Sequence, residues 1–302
     1  MNVYEHCPEI AGARFVLRLV TEEDCQDLLK VYSDEASVPL FNSDNCNGDD
    51  FHYTTMERML QGIRMWLWSY HHGWFVRWSI VDKAARCTVG TIELFRRDEE
   101  GGVLRLDLRS DYENAADILE ILSMILPPSF DWFGCGQFLT KAKPIAGERL
   151  KALRKLGFQP SEKPLIGHDG TVYGDYYSIQ ERDALFTLAM LHIYGDGVAE
   201  DNALAVTLLA RARELGSVEA AYNLGICYHY GYGTAVDLAR AYNLYLESAN
   251  GGYGKGMELV GRFFHQGIYV EKDQKKAEFW LRKAMESGDP ESEVEARREL
   301  GI

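Results

Sequence analysis

Three copies of one pattern, spaced by 36 residues, constrain what residues 183–302 can fold into. The copies align without a gap, and each carries glycine, aspartate and alanine at the same positions. The recurring residues are Gly195, Gly231 and Gly267; Asp201, Asp237 and Asp273; Ala205, Ala241 and Ala277; and Gly216, Gly252 and Gly288. A fixed period of this length is typical of helical repeats, each of which buries its apolar face against its neighbours.

Each class of recurring residue has a physical role. The first glycine of a copy ends one helix in the left-handed conformation, and the aspartate caps the next helix by accepting free amide hydrogen bonds. The alanine lets paired helices approach closely, and the last glycine ends the second helix. We therefore predict helices at 184–194, 201–215, 220–230, 237–250, 256–266 and 273–287, followed by a polar capping helix at 289–301.

The motifs within these copies resemble the Sel1-like repeat, a relative of the tetratricopeptide repeat. They are Tyr-Gly-Asp-Gly-Val at 194–198, Ala-Ala-Tyr-Asn-Leu-Gly at 220–225 and Tyr-Gly-Tyr-Gly-Thr at 230–234. The third copy has Tyr269 in place of the second glycine, so we expect its turn to differ. The resemblance implies an adaptor module whose concave face binds a protein or peptide. Candidates for that face are Tyr222, Tyr228, His229, Tyr230 and His265; the alternative is that they fill space between helices.

The first 180 residues alternate strand and helix patterns. The predicted strands are 14–20, 74–82, 88–96, 103–109, 137–142 and 172–179. Helices are predicted from a Thr21 cap to Val31, from a capping box at Thr54 and Glu57, at 112–126 up to Pro127-Pro128, and at 146–156 up to Gly157.

Three segments of this region resemble the GNAT N-acetyltransferases, in particular the branch that acetylates protein N-termini. They are Leu-Arg-Leu-Val-Thr-Glu-Glu-Asp at 17–24, Val-Gly-Thr-Ile-Glu-Leu at 89–94 and Leu-Arg-Lys-Leu-Gly-Phe at 153–158. The expected architecture is an α+β mixed-sheet GNAT-like domain over 1–180. An all-α solenoid of helix-turn-helix repeats follows it over 183–302.

The GNAT resemblance implies acetyl-CoA as cofactor. Such enzymes hold its pyrophosphate with a Gln/Arg-x-x-Gly-x-Gly/Ala loop at the start of their central helix. This resemblance places the cofactor at Leu108, Arg109, Ser110, Asp111, Tyr112, Glu113 and Asn114. That loop has no glycine, and Asp111 and Glu113 bring carboxylates to the phosphate position. Like charges about 4 Å apart repel by about 1 kcal/mol in water, and more when partly buried.

The family's catalytic residues are also replaced. Ala146 stands where many members have an asparagine. Leu153 stands where many have a tyrosine that acts as the general acid. The remaining catalytic candidates are two carboxylates on neighbouring strands, Glu93 and Asp107. Glu93 is a candidate general base toward an amine, which requires a raised pKa. The alternative for the charged strand face of Arg105, Asp107 and Arg109 is a structural ion-pair network.

Composition excludes several classes of function. The net charge of −14 disfavours a nucleic-acid partner. The six cysteines lack a CxxC pair, which predicts reduced thiols in a cytoplasmic protein and no metal site. The acidic segment 42–50 lacks the spacing of a calcium loop, and we interpret it as a solvated loop. No apolar run is long enough for a membrane helix.

Two functions remain open from the sequence. One is an acyl-CoA-dependent N-acetyltransferase whose repeats recruit a protein substrate. The other is a non-catalytic adaptor in which the GNAT domain has lost its cofactor site. Neither the partner nor the oligomeric state follows from the sequence.

Overall fold

The computed structural model describes residues 2–46, 48–97 and 101–302. The chain divides into two compact units, Met1–Ala184 and Leu185–Ile302. Asn47 of the acidic segment 42–50 lies outside the described residues.

The first unit contains a mixed sheet with eight strands in the described part of the chain. The strands are β1 (Ile10–Ala11), β2 (Phe15–Leu19), β3 (Val76–Asp82), β4 (Cys87–Arg96), β5 (Gly102–Leu108), β6 (Gln137–Lys141), β7 (Gln159–Pro160) and β10 (Tyr176–Gln180), in the order β1-β2-β3-β4-β5-β6-β10-β7. Only β5 and β6 pair in parallel among these described strands, and they do so over three residue pairs, from Gly102 with Phe138 to Leu104 with Thr140. Beyond Leu104 the two strands diverge, which leaves a gap beside the end of β5.

A separate two-stranded ribbon consists of β8 (Leu165–Ile166) and β9 (Val172–Tyr173). The sequence predicts one strand over 172–179, but Asp175 between β9 and β10 adopts a φ of 60°. Because a left-handed residue turns the chain, the segment divides into two strands.

Four helices of the first unit are α1 (Cys25–Tyr32), α2 (Met56–His71), α3 (Ala115–Phe133) and α4 (Gly147–Lys155). Helices α1 and α2 pack on each other and on β4 and β3, around a core that includes Tyr32 and Trp66. The predicted cap of α2 was one residue early, because Thr55 is the residue that accepts the Arg58 amide at 3.2 Å.

Helix α3 continues through Pro127 and Pro128, where the sequence predicts its end. Its apolar stripe extends past the prolines to Phe130 and Phe133, both of which are buried. Two prolines inside a helix cost roughly 6 kcal/mol together, and burial of two aromatic side chains offsets about 3–6 kcal/mol of that cost. The helix therefore ends only at Gly134, which adopts a left-handed φ of 59°.

The second unit is an all-helical array. Its helices are α5 (Glu181–Tyr194), α6 (Asn202–Glu214), α7 (Val218–Tyr230), α8 (Leu238–Asn250), α9 (Gly254–Gln266), α10 (Gln274–Met285) and the capping helix α11 (Pro290–Leu300). Asp201, Asp237 and Asp273 cap α6, α8 and α10, accepting backbone amides at 2.9–3.1 Å. The predicted helices and caps are confirmed within a few residues.

The turn between α9 and α10 keeps the repeat conformation without its glycine. Tyr269 adopts a φ of 62°, close to 82° for Gly197 and 67° for Gly233 at the same position. The expectation of a different turn is therefore wrong for the φ angle at this position, which matches those of the other two repeats. Tyr269 packs against Tyr242 with ring centroids 5.9 Å apart and the rings tilted by 46°, and this contact offsets part of the left-handed strain.

Candidate functional site

Four charged side chains form a row across the sheet of the first unit. Cross-strand register places Arg77 on β3 opposite Glu93 on β4, and Glu93 opposite Arg105 on β5. Two residues further along the same strands, on the same face, Thr91 of β4 lies opposite Asp107 of β5. Side chains alternate between the two faces of a strand, so all of these residues share one face of the sheet.

Arg77 is the centre of this network and is almost completely buried. Its guanidinium donates to Glu93 Oε2 from Nε at 3.0 Å, and to the Tyr32 hydroxyl from Nη1 at 2.8 Å. It lies 3.3 Å from the Asp107 carboxylate and stacks 4.1 Å from the centre of the Trp66 ring. The Arg77 guanidinium therefore forms ion pairs with two carboxylates, those of Glu93 and Asp107, and a cation–π contact with Trp66.

The pKa values of the two catalytic candidates are shifted in opposite directions. Burial alone would raise the pKa of Glu93, but Arg77 and Arg105 outweigh it and hold the pKa below the usual carboxyl range. Burial raises the pKa of Asp107, whose Oδ1 is buried and has no hydrogen-bond partner in the described structure. A base toward an amine needs a raised pKa and access to its substrate. Glu93 lacks the first of these, and Asp107 lacks the second because it is buried and does not line the cleft described next.

A cleft of about 510 Å³ opens beside this row, between α2 and the segment before it. Its floor carries Arg77, Glu93 and Arg105, and its walls are mainly aromatic: Phe51, Trp66, Trp74, Phe75 and Phe95. The aromatic side chains of this region differ in exposure, since Trp66 and Trp78 are buried while Trp68 and Trp74 are about half exposed.

The amides at the start of α3 are largely occupied by the protein. The Ser110 amide donates to the Asp34 carboxylate at 2.9 Å. Tyr112 and Glu113 donate to backbone carbonyls within a short 3-10 turn, and Asn114 accepts the Asp117 amide at 3.0 Å as the cap of α3. Ala115 donates to Glu148 at 3.3 Å. Asp111, Asn114 and Ala116 keep amides without an acceptor in the described part of the chain.

The side chains of this loop are paired among themselves or with α4. Arg109 makes a bidentate contact with Asp111, at 2.6 and 2.9 Å. Glu113 makes a bidentate contact with Arg149, at 2.7 Å for each bond, and both side chains are buried. Both acidic residues of the loop are thus paired with an arginine, Asp111 with Arg109 and Glu113 with Arg149.

The segment 39–44 crosses the gap where β5 and β6 diverge. Lys143 donates to the Pro39 carbonyl at 2.6 Å, and Arg149 donates to the Leu40 carbonyl at 3.3 Å. Arg105 donates to the Asp44 carbonyl at 2.7 Å, and Lys141 pairs with the Asp44 carboxylate. Contacts from β5, β6 and α4 therefore fix this segment across the end of β5.

The Sel1 repeat family matches the chain at residues 182–217, 218–253 and 254–289. Residues 182–289 are three Sel1 repeats. Two solved Sel1-type structures match this region, each with a TM-score of 0.36. The Sel1 repeat protein from Oxalobacter formigenes is 28% identical over 38% of this chain and 47% of its own. The antigen c5321 from uropathogenic Escherichia coli is 30% identical over 40% of this chain and 26% of its own. The chain thus spans about half and about a quarter of these two proteins.

The first unit has the mixed-sheet fold of the GNAT acetyltransferases. RimJ from Mycobacterium smegmatis, solved with CoA-disulfide, matches with a TM-score of 0.51 and 14% identity, over 62% of this chain and 95% of its own. At this identity the similarity concerns the fold alone. No curated protein matches the sequence.

The residues at the GNAT cofactor position do not fit the pyrophosphate of acetyl-CoA. The amides without an acceptor among the described residues, those of Asp111, Asn114 and Ala116, are separated by amides that donate to the loop backbone or to Glu148. Anion sites at helix N-termini require convergent free amides and an absence of negative charge. The family's remaining positions are apolar here, since Ala146 and Leu153 are buried in the core.

Most of the candidate binding residues on the Sel1 repeats pack between helices. Tyr222 contacts Tyr245 and Tyr253, and burial raises its pKa to about 12. The His229 ring lies 3.2 Å from the Tyr245 hydroxyl, and burial lowers its pKa. The buried Nδ1 of His265 has no partner in the described structure. Tyr230 is exposed, and Tyr228 lines a groove described below.

The sequence analysis missed four residues of the first unit: Arg77, Tyr32, Arg149 and Asp34. Arg77 carries a detectable signal, because it occupies a polar position in a strand whose neighbours Val76 and Trp78 are apolar. The other three act through contacts with distant segments, which no local pattern encodes. Among the described residues, no helix is long and apolar enough to cross a membrane, and no metal-binding group of side chains occurs.

Proposed function

We propose that this protein is a non-catalytic adaptor, in which the GNAT-fold unit does not bind acetyl-CoA and the Sel1 repeats bind a partner protein. The observation that carries this proposal is the loop at the start of α3. Its amides donate to Asp34, to the loop backbone and to Glu148, and the carboxylates of Asp111 and Glu113 pair with Arg109 and Arg149.

The ion row on the sheet supports the same proposal. A network with Arg77 at its centre holds Glu93 ionised and buried, which suits a structural role better than proton transfer. The Sel1 repeats supply the binding half of the proposal, because such repeats generally mediate protein–protein interaction.

A second candidate function is an N-acetyltransferase that acts on amines. The cleft of about 510 Å³ beside Glu93 favours it, since this volume lies in the range of small-molecule sites. An adaptor and an enzyme differ in one requirement, because only the enzyme must bind acetyl-CoA.

Thermal unfolding of the full chain with acetyl-CoA tests the proposal. Five of the six tryptophans (Trp66, Trp68, Trp74, Trp78 and Trp132) lie in the first unit, so tryptophan fluorescence reports mainly on that unit. A ligand at about 100 times its Kd stabilises the folded state by about 2.7 kcal/mol. We expect no change in unfolding temperature at millimolar acetyl-CoA beyond the change produced by ATP, a matched polyanion. A saturable increase specific to acetyl-CoA would instead favour the enzyme.

A further inference from the structure

A groove in the second unit has a charge opposite to that of the chain as a whole. It holds about 330 Å³ and lies between α6, α7 and α8; we call it the array groove, and its lining is Ala210, Arg213, Leu224, Tyr228, Arg240, Asn243, Leu244 and Glu247. Its charged residues are two arginines and one glutamate, whereas the chain carries a net charge of −14.

One interaction in the array groove recurs at the repeat period. The Arg240 guanidinium lies over the Tyr228 ring, 5.3 Å from its centre, and the Lys276 ammonium lies over the Phe264 ring at 5.1 Å. Both partners of the second pair are displaced by 36 residues from those of the first. The repeat therefore places a cation over an aromatic ring twice along the same face.

Two other groove positions become aromatic and cationic one repeat later, while Arg213 is replaced by Ala249. Asn243 corresponds to Phe279, and Glu247 corresponds to Lys283. Phe279 is 52% exposed, and the Lys283 ammonium lies 4.7 Å from the centre of its ring. We call Phe264, Lys276, Phe279, Trp280 and Lys283 the α10 face. Residues three, four and seven apart share one side of a helix, so the α10 members form one strip.

The cations of this surface differ in how far they are neutralised. Arg213 is held by Glu247 through bonds of 2.7–2.9 Å, which makes that pair neutral. Arg240 lies 3.3 Å from Asp237, and Lys276 lies 3.4 Å from Asp273. Both aspartates also cap helices, where backbone amides and the helix dipole already compensate their charge. Arg240, Lys276 and Lys283 therefore leave a positive potential on this face.

We propose that the array groove and the α10 face bind a short acidic peptide segment of a partner protein. The proposal rests on the adaptor function and names its partner class. Carboxylates of the peptide pair with Arg240, Lys276 and Lys283, and an apolar side chain packs on Phe279. The exposed Asn243 amide has no hydrogen-bond partner in the described structure, and it pairs with the peptide backbone, since an amide both donates and accepts.

The test begins with a random twelve-residue peptide library displayed on phage and selected on the immobilised full chain. We expect the selected peptides to be enriched in Asp and Glu together with at least one aromatic or aliphatic residue. The best peptide is then synthesised with a fluorescent label, and its Kd is measured by fluorescence polarisation at low and high salt. Binding should weaken as salt rises, because exposed charges are screened.

The decisive variant is the double substitution R240E/K276E. Both residues are the third of their helices, where glutamate is compatible with an aspartate cap, so the fold should persist. We expect the variant to bind the peptide at least about ten-fold more weakly. The matched control R297E/R298E makes the same charge change on α11 and should leave the Kd within about two-fold, because a distant charge is screened.

Several results overturn the proposal. The first is that the peptides selected from the phage library are not enriched in Asp and Glu. The second is that the peptide binds wild type and R240E/K276E with equal affinity. A third is double-stranded DNA that binds more tightly than the peptide and depends on the same two residues. A fourth is a wild-type dimer that R240E/K276E converts to a monomer, which would identify the face as a self-association surface. Acetyl-CoA binding would refute the adaptor function without altering the peptide result, so the two failures are distinguishable.

Discussion

Removal of Arg77 should destabilise the first unit more than any single surface substitution. The substitution Arg77→Leu deletes the hydrogen bonds to Glu93 and Tyr32 and the ion pair with Asp107. Arg105 still pairs with Glu93 at 2.9 Å, whereas Asp107 keeps only the Tyr32 hydroxyl. Breaking a buried ion pair from one side costs about 3–5 kcal/mol, and we expect a loss in free energy of unfolding in that range.

This loss should depend on pH with a defined sign. In the wild type the pKa of Glu93 is held low, so its contribution to stability is present above the ordinary carboxyl pKa and is lost as pH falls through the lowered value. In Arg77→Leu the buried carboxylates take up protons more readily. The difference between the two proteins should therefore shrink below about pH 4.

Guanidinium unfolding of the full chain, followed by tryptophan fluorescence, measures this difference. The two units can unfold in separate transitions, so the fluorescence transition is fitted on its own and circular dichroism follows the helical array. The control is Arg64→Leu, which breaks an exposed pair with Glu22 and should have no measurable effect. A loss below about 1 kcal/mol for Arg77→Leu would refute the central role given to this residue.

Two further predictions concern the Sel1 repeats. Gly233→Ala should destabilise the array by more than about 2 kcal/mol, because the added Cβ would lie 2.1 Å from the Asn202 carbonyl oxygen. The control Gly252→Ala also has a positive φ but open space around its Cβ, so it should cost only about 1 kcal/mol. The circular-dichroism unfolding transition measures both losses. Equal losses would contradict the close approach of these turns. Burial raises the pKa of Cys227 to about 11, so iodoacetamide should modify it at pH 8 only after unfolding, and mass spectrometry of native and denatured samples checks this.

The repeat array was predictable because its determinants are local. Each capping aspartate lies three residues before the amide that it accepts, and each terminating glycine adopts its left-handed conformation within one turn. A spacing of 36 residues then identifies the same local solution three times. The conformation of Tyr269 was not predictable, since its backbone follows the repeat geometry against its own preference.

In the first unit, the errors arise where tertiary contacts outweigh local preference. Pro127 and Pro128 predict a helix end, but burial of Phe130 and Phe133 extends α3 beyond them. The sequence indicates an altered cofactor loop, because the missing glycines are visible in it. It does not indicate that Asp34 occupies the Ser110 amide, since this contact spans 76 residues.

The sequence does not place the segment 39–44 in the candidate site, and it predicts residues 42–44 to be part of a solvated loop, whereas Asn42 is buried and Asp44 pairs with Lys141. The backbone carbonyls of this segment accept from Arg105, Lys143 and Arg149, and any residue type supplies a carbonyl. A sequence pattern therefore cannot distinguish this segment from a free loop, although it closes the gap beside β5.

Calorimetric titration of acetyl-CoA into the full chain tests the central claim most directly. The claim is that the loop from Arg109 to Asn114, occupied by its own hydrogen bonds and carboxylates, does not bind the cofactor. We predict heats equal to those of dilution up to millimolar acetyl-CoA. A saturable isotherm with one site per chain, weakened by competing coenzyme A, would contradict the account.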